Sequence, residues 1–203
     1  NWYRMLSGWL ISWGFKKSNA DPCVFVLMHP DTTNLRIAVL IHVDDIFSLA
    51  TTQAVEDEFV TAFSAEFRIS SHGPLEHFLN LQCRDTGDAI HLPQPLYIKD
   101  IIERVGLTQS RTRPTPASKE LLSKADCPAE GSAEQQEKDR KDYPSAMGSL
   151  VYAAVCTRPD IAFATSQAGR LSKNPSTKHW RALQHIFRYL EGTHDLGLKF
   201  EKN

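Results

Sequence analysis

Apolar positions in the first part of the chain follow a helical period, then strand patterns, then a helical period again. A stripe at three- and four-residue spacing precedes Gly14 and consists of Trp2, Leu6, Trp9, Leu10 and Trp13. This spacing predicts a helix that turns one face to the core and ends at the glycine. Apolar runs at residues 23–28, 35–43 and 46–50 predict strands. A further helix is predicted over residues 52–67 by apolar side chains at every fourth position, namely Val55, Phe59, Phe63 and Phe67.

The middle of the chain changes from regular apolar patterns to a polar stretch. Turn residues at 85–88 separate apolar runs at 75–83 and 89–92, which predicts a second hairpin. Inward-spaced apolar residues predict a helix over residues 94–105. Residues 108–142 are rich in Ser, Thr, Pro, Lys and Glu, so we expect a linker there, flexible where the composition is most polar.

The last part of the chain returns to helical patterns. Pro144, Pro159 and Ser176 each stand at a typical helix start, and a strand is expected at residues 196–200. Arg158, immediately before Pro159 and Asp160, is expected to form a local ion pair that fixes a helix start. Strands and helices follow one another without a regular βαβ order, so the predicted fold class is α+β.

Composition narrows the class of protein only modestly. The 203 residues carry a formal net charge of -1 and the sequence pI is about 6.8, so nucleic-acid binding would have to come from local patches. No apolar run approaches the roughly 18 residues of a membrane span, and we expect no membrane partner. The cysteines lack a C-x-x-C pair, which favours reduced thiols in an intracellular, non-secreted protein over a zinc site; they are Cys23, Cys83, Cys127 and Cys156.

Asp44 and Asp45 interrupt the apolar runs and are the residues with the clearest chemistry. Adjacent carboxylates at a tight turn repel each other unless a cation or water relieves the repulsion. Mg²⁺ and Mn²⁺ prefer oxygen ligands and usually keep waters and substrate phosphates in their coordination shell. A rigid hairpin that presents two Asp side chains is therefore suited to half of a two-metal site for phosphoryl transfer. An acidic pair is also common in solvated loops, and spacing alone leaves both interpretations open.

The residues around this pair resemble the catalytic segment of reverse transcriptases from copia-type retrotransposons. Residues 41–46, Ile-His-Val-Asp-Asp-Ile, are similar to that family's aromatic-Val-Asp-Asp motif. Other segments follow in the family's order over nearly the whole chain, apart from residues 119–142. These segments are Trp2-Tyr3 with Leu6, Gly14-Phe15-Lys16, residues 20–25, 78–81 and 95–98, Gly106, Thr115-Pro116, Tyr143, residues 148–152 and 157–161, Asn174-Pro175, His179-Trp180 and residues 188–193.

The resemblance implies a polymerase architecture and a place within a longer polyprotein. Residues 1–92 are expected to form a partial palm of antiparallel strands plus helices, and residues 93–118 a thumb-like helix and loop. Residues 119–142 would be a variable linker, and residues 143–203 a helical connection that ends before a ribonuclease H domain. The partners implied are an RNA or DNA template-primer, deoxynucleoside triphosphates (dNTPs) and the rest of the Pol polyprotein, in cytoplasmic particles and the nucleus.

The resemblance also implies roles for individual residues in RNA-directed DNA synthesis by two divalent ions, Mg²⁺ or Mn²⁺. Asp44 would be the principal metal ligand of the hairpin and Asp45 its less direct partner. His42 and Val43 would lie at the primer terminus. The primer strand would be placed by Phe78, Leu79 and Asn80.

Two residues and one segment depart from the family pattern. His42 stands where the family has Tyr, which puts packing against the primer end in doubt. Asn80 stands where the family has Gly, and a side chain there restricts close backbone approach. The family's first catalytic Asp is expected upstream of residue 1, so we expect this chain to be inactive as a polymerase on its own.

A locally basic stretch runs from residue 165 to residue 190, which contains no Asp or Glu. Its cations could contact phosphates, with affinity that falls as salt rises; they are Arg170, Lys173, Lys178, Arg181 and Arg188. A solvated helical face with acidic partners from other elements is the alternative.

Two functions of different class therefore remain open. The first is a fragment of a retrotransposon reverse transcriptase. The second is a non-catalytic nucleic-acid-binding or scaffold remnant of a decayed element.

Overall fold

The computed structural model describes residues 2–31, 34–70, 73–78, 81–120, 122–129, 132–133 and 142–202. The chain forms two compact units, Asn1–Leu75 and Glu76–Asn203, each with its own hydrophobic core. Helices and antiparallel sheets occur in both, which confirms the α+β class. Among the described helices, none combines the length and the hydropathy needed to cross a membrane.

The first unit is a four-stranded antiparallel sheet covered by two helices. The strands lie in chain order and are β1 (Lys16–Lys17), β2 (Val24–Met28), β3 (Leu35–His42) and β4 (Asp45–Ala50). The helices are α1 (Trp2–Ser12) and α2 (Gln53–Glu66). All of these elements except β1 were predicted from the apolar pattern.

One face of the sheet is buried because its alternate residues pack against the helices. Ile37, Val39 and Ile41 of β3 are at most 3% exposed. They belong to one cluster with residues of α1 and α2, among them Leu6, Leu10, Phe59 and Phe63. The remaining β3 residues therefore point to the opposite face of the sheet.

The ends of both helices follow the local chemistry of the sequence. The Thr52 hydroxyl accepts a hydrogen bond of 3.4 Å from the Val55 amide and caps the start of α2. Gly14 follows α1 with a φ of 97°, a left-handed conformation that a residue without Cβ adopts at little cost.

The second unit begins with two small antiparallel pairings. Strands β5 (His77–Phe78) and β6 (Leu81–Gln82) pair with each other. Strands β7 (Arg84–Asp85) and β8 (Ala89–Pro93) flank the turn at residues 86–88. The predicted turn is thus confirmed, but the prediction that residues 75–83 form its first strand is wrong, because His77–Phe78 pairs with Leu81–Gln82 and β7 takes that place.

The C-terminal strand completes the second sheet. Strand β9 (Gly197–Glu201) pairs antiparallel with β8, from Pro93 opposite Gly197 to Ala89 opposite Glu201. Lys202 extends the pairing, since its amide donates a hydrogen bond of 2.9 Å to the Asp88 carbonyl. Its ammonium group also lies 2.7 Å from a carboxylate oxygen of Asp85. The closing strand and β8 were both predicted, whereas their pairing with each other was not.

Helices form the core of the second unit. They are α3 (Pro95–Arg104), α4 (Tyr143–Cys156), α5 (Ala162–Gly169) and α6 (Thr177–Gly192), with a 3₁₀ turn at Pro159–Ile161. Tyr143 is completely buried, and its hydroxyl donates a hydrogen bond of 2.9 Å to the Ala168 carbonyl. Burial raises the pKa of Tyr143 to about 12, so this hydroxyl stays a neutral donor.

A buried guanidinium ties the end of α4 to the end of α6. Arg158 is 1% exposed, and its Nε and Nη2 atoms donate to the two carboxylate oxygens of Asp160 at 2.9 and 2.7 Å. It also donates to the carbonyl and hydroxyl oxygens of Thr193, both at 2.8 Å. The Tyr189 hydroxyl donates to Asp160 at 2.7 Å. The expected local ion pair is confirmed, and the structure adds the bonds to α6 and its C-terminal cap.

The described part of the polar middle of the chain contains a short turn and contacts the segment before α6. A short 3₁₀ turn at Lys124–Asp126 carries a capping box from Ser123, and Asn174 donates a hydrogen bond of 2.9 Å to the Pro128 carbonyl.

The sequence boundary between the two compact units falls between Leu75 and Glu76, whereas the palm boundary expected from the sequence lies at residue 92. Residues 76–92 are grouped with the helical unit because β8 pairs with β9.

Candidate functional site

The Asp44–Asp45 pair lies at the hairpin between β3 and β4. His42 is paired with Asp45 across the two strands, so the two turn residues are Val43 and Asp44. The sequence analysis placed the turn at Asp44 and Asp45, and the structure corrects it by one residue. The shift follows from strand register, because Ile41 opposite Ile46 keeps both isoleucines on the helix-facing side.

Val43 occupies a strained backbone conformation at the tip of this hairpin. Its φ is 56°, in the left-handed region where a β-branched residue is a clear outlier. Its side chain is 73% exposed, so packing does not compensate the strain. Backbone strain of this kind persists only where the surroundings hold it, and it concentrates at functional sites.

Trp2 is the residue that holds the tip. Its indole Nε1 donates a hydrogen bond of 3.0 Å to the Val43 carbonyl, and its ring packs edge-on against Phe67 with centroids 5.5 Å apart. The sequence analysis assigned Trp2 only to the core-facing stripe of α1. No spacing rule could have found the second role, because the partner is a backbone carbonyl 41 residues away.

His42 and Asp45 point away from the helix-covered face of the sheet. Buried Ile41 and half-buried Ile46 face the helices, so their neighbours in the strands face the other side. Both His42 and Asp45 are exposed. The hairpin thus presents one imidazole and one carboxylate on its open face, and a second carboxylate, that of Asp44, in the turn.

The carboxylates of Asp44 and Asp45 are available as ligands. Among the residues that the structure describes, neither forms a hydrogen bond or an ion pair. Mg²⁺ sites commonly use one or two protein carboxylates and complete the shell with water and substrate phosphates, and the hairpin fits that donor set. Within the described ranges, no group of three or more His, Cys, Asp or Glu side chains is placed to hold a metal ion.

The other predicted primer contacts lie in the second unit or outside the described residues. Phe78 is half-buried in β5. Leu79 and Asn80 lie outside the described residues. The hairpin therefore carries two of the five residues predicted to contact the primer, His42 and Val43.

The five predicted basic residues lie on and before α6. Lys178, Arg181 and Arg188 lie on the outer side of α6, at the three- and seven-residue spacing of one helix face. Arg170 and Lys173 follow α5, and Arg170 donates a hydrogen bond of 3.1 Å to Gln167. The ammonium group of Lys178 is paired with Asp126 at 2.9 Å, which partly neutralises its charge.

Comparisons with known proteins show which family this hairpin and the surrounding chain belong to. A model of the reverse transcriptase (RNA-dependent DNA polymerase) family matches residues 1–119. The chain belongs to this family, within the copia-type branch of retrotransposon Pol polyproteins.

The relatives themselves are much longer than this chain. The Pol polyprotein of transposon TNT 1-94 from Nicotiana tabacum is 33% identical over 95% of the chain, which spans 14% of that protein. The Pol polyproteins of transposons RE2 and RE1 from Arabidopsis thaliana are each 29% identical over 99% of the chain, and the chain spans 13% of each. No solved structure matches the chain significantly.

Proposed function

We propose that this chain supplies the hairpin carboxylates of a reverse transcriptase active site within a longer Pol polyprotein. The observation that carries the proposal is a pair of exposed carboxylates, Asp44 and Asp45, on a hairpin whose strained tip is held by Trp2. Within the described part of the chain, neither carboxylate forms an ion pair. The family match over residues 1–119 supports the same assignment. The substrates are dNTPs and an RNA or DNA template-primer.

In this proposal Asp44 is the principal metal ligand and Asp45 its less direct partner. Asp44 lies in the turn itself, whereas Asp45 starts β4 and shares its face of the sheet with His42. Two bound Mg²⁺ or Mn²⁺ ions would supply Lewis-acid stabilisation to the attacking and leaving oxygens of nucleotidyl transfer. The protein's part is to keep the two carboxylates at fixed positions, which the buried strands on each side of the turn do.

His42 and Val43 would lie beneath the primer terminus. The exposed side chain of Val43 is available for a base or sugar to rest on. His42 replaces the larger Tyr of the family, and an imidazole would offer the primer end a smaller surface. Phe78, Leu79 and Asn80 are proposed to contact the primer strand, and α3 with the loop after it is proposed as a thumb-like segment. The parent element would carry this protein in cytoplasmic particles and the nucleus.

Metal binding by the purified chain tests the assignment directly. In ¹⁵N-labelled protein titrated with Mn²⁺, paramagnetic broadening should centre on the amides of residues 43–46 and should disappear in Asp44→Asn. Asp31→Asn changes another exposed aspartate of the same unit and serves as the matched control. Broadening that is unchanged by Asp44→Asn would contradict the proposal.

Primer extension tests activity at two levels. In a Pol polyprotein that contains this chain, Asp44→Ala should abolish extension while Asp31→Ala leaves it intact. We propose that the chain alone extends no primer above background, since one or two exposed carboxylates hold Mg²⁺ weakly without other protein ligands. Extension by the chain alone that is lost in Asp44→Ala would overturn this part.

A non-catalytic nucleic-acid-binding role is the second candidate. The observation that favours it is the basic face of α6, which lies in the unit that does not carry Asp44. Strand binding that persists in Asp44→Asn, together with the absence of Mn²⁺ broadening, would favour this role.

A further inference from the structure

A polar segment of the chain lies along α6 in the opposite direction. The Gln109 amide donates to a carboxylate oxygen of Glu191 at 3.3 Å, and the Arg113 amide donates to the Arg188 carbonyl at 3.2 Å. His185 Nε2 lies 3.0 Å from the Thr115 carbonyl. We name residues 109–115 the strap, because backbone contacts fasten them to the helix over two turns.

The strap brings a further arginine to the basic face of α6. Arg181 and Arg188 lie on this face with His185 between them, and the side chain of Arg113 is exposed beside them. Within the described part of the chain, the guanidinium groups of Arg113, Arg181 and Arg188 form no ion pair. The face therefore carries positive charges that the described residues of the protein do not neutralise.

Charged neighbours at both ends mark the limits of this surface. Lys178 is paired with Asp126 at the start of α6. Glu191 accepts the Gln109 amide at the other end. The net positive charge between these two ends comes from the guanidinium groups of Arg113, Arg181 and Arg188.

The electrostatics of His185 give independent support for an unneutralised surface. Burial lowers the pKa of His185 below its ordinary value, and the hydrogen bond to the Thr115 carbonyl opposes that effect. The positive charges of Arg113 and Arg188 lower this pKa further. Both arginines are thus close enough to act on the same imidazole.

We infer that the strap and the outer face of α6 together form a binding surface for a nucleic-acid phosphate backbone, contacted by Arg113, Arg181 and Arg188. The inference rests on the proposed function, since a polymerase segment must hold a strand, and it assigns that contact to particular residues. Arg113 was not among the predicted basic residues. Arg170 and Lys173 are excluded from this surface.

The spacing of the arginines fits a phosphate backbone. Arg181 and Arg188 are seven residues apart, which places them about 10 Å apart along the helix axis. Successive phosphates of one strand advance by about 3.4 Å along a duplex axis, so this distance corresponds to about three nucleotides. Guanidinium groups bind phosphate oxygens through paired hydrogen bonds.

Salt-dependent binding of the full chain to a fluorescein-labelled 15-nucleotide strand tests the surface. Arg113→Gln, Arg181→Gln and Arg188→Gln combined should weaken binding at least tenfold. The slope of log K against log salt should fall by about 2, since each phosphate contact contributes about 0.7 for a single strand. The matched control removes the same charge from the same unit through Lys99→Gln, Lys119→Gln and Lys124→Gln, and should change both values little.

Additional variants and a competing peptide distinguish the possible outcomes of this experiment. The corresponding Arg→Lys triple variant should keep most of the salt slope, which separates charge from folding if the Gln variant is unstable. Equal weakening by the control variant, or stronger binding of a poly-glutamate peptide than of the strand, would overturn the inference. The Mn²⁺ titration reports on residues 43–46, and the salt-dependent binding reports on the arginines, so the two tests are separate. Failure of the Mn²⁺ titration therefore counts against the proposed function alone, and failure of the arginine variants counts against this surface alone.

Discussion

The indole Nε1 of Trp2 donates a hydrogen bond of 3.0 Å to the carbonyl oxygen of Val43. This bond links the first turn of α1 to the tip of the candidate catalytic hairpin. The Val43 backbone is in a costly conformation, so the hairpin tip depends on contacts of this kind to keep Asp44 in one position.

Replacement of Trp2 by Phe should loosen the hairpin tip without disrupting the core. Phenylalanine keeps an aromatic ring against Phe67 but has no N–H donor, and a hydrogen bond of this type contributes about 1 kcal/mol. Hydrogen exchange of the amides at residues 43–45 should accelerate roughly fivefold. Trp13→Phe, in the same aromatic cluster, is the control and should leave these amides unchanged. Unaltered exchange in Trp2→Phe would show that the bond does not restrain the tip.

Replacement of Val43 by Gly should stabilise the first unit. The left-handed conformation costs a residue with a Cβ about 1–2 kcal/mol, and the added chain entropy of glycine offsets part of this gain. We expect a net increase of about 0.5–1 kcal/mol in the free energy of unfolding, measured by urea titration with tryptophan fluorescence. Leu49→Gly, an exposed position within β4, should be destabilising by comparison. A loss of stability in Val43→Gly would mean that the strain is absent.

Replacement of Arg158 by Met should destabilise the second unit strongly. The change removes the four hydrogen bonds that the buried guanidinium donates. The Asp160 carboxylate, which is 36% exposed, then keeps the hydrogen bond from the Tyr189 hydroxyl. We expect the free energy of unfolding to fall by about 3 kcal/mol, as measured by circular dichroism during urea unfolding. Arg104→Met breaks an exposed pair with Asp100 and should change stability by less than about 1 kcal/mol. Equal effects of the two substitutions would argue that burial of Arg158 does not matter.

The Asp160 carboxylate should make the stability of the second unit depend on acid pH. Burial acts to raise its pKa, but the hydrogen bonds from Arg158 and Tyr189 outweigh burial and hold the pKa below its ordinary value of 3.8. Because the folded pKa is the lower one, this contribution is complete above the unfolded value and is lost as pH falls through the folded pKa. Melting temperatures from pH 7 to pH 2 should show a smaller decline in Asp160→Asn. An identical decline in both proteins would contradict the assignment.

Replacement of Gly197 by Ala should weaken the pairing of β9 with β8. A Cβ at this position would lie 2.4 Å from the Leu92 carbonyl oxygen and 2.6 Å from Pro93 Cα, and these backbone atoms cannot move without disturbing the sheet. A loss of about 1–3 kcal/mol is expected from such overpacking. Gly148→Ala, in open space within α4, should be neutral or stabilising by up to about 1 kcal/mol. A tolerated Gly197→Ala with unchanged protection of the β8 amides would show that the strand can shift.

The sequence predicted individual helices and strands well, but it predicted poorly which of them pair or pack together. The apolar stripe of α1 and the helix starts at Pro144 and Ser176 are set by neighbours in sequence, and the structure confirms them. The turn of the Asp44–Asp45 hairpin was predicted one residue late, because a left-handed valine leaves no signal in composition.

Long-range contacts account for the remaining differences. The strap has few apolar residues, so it was assigned to a linker, yet backbone hydrogen bonds to α6 hold it in place. Trp2 was assigned to the core face of α1, and its bond to Val43 depends on tertiary structure alone. Metal coordination by Asp44 and Asp45 and strand binding by the basic residues remain predictions.

The pairing of β8 with β9 also constrains the order of events during synthesis. The two strands are separated by more than one hundred residues, since Pro93 pairs with Gly197. Ribosomes add roughly 5–20 residues per second, so β8 waits on the order of 5–20 s before its partner exists. During that interval the outer edge of β8 is open to pairing with other extended chains. A chaperone that covers this edge would protect the nascent polyprotein from such mispairing.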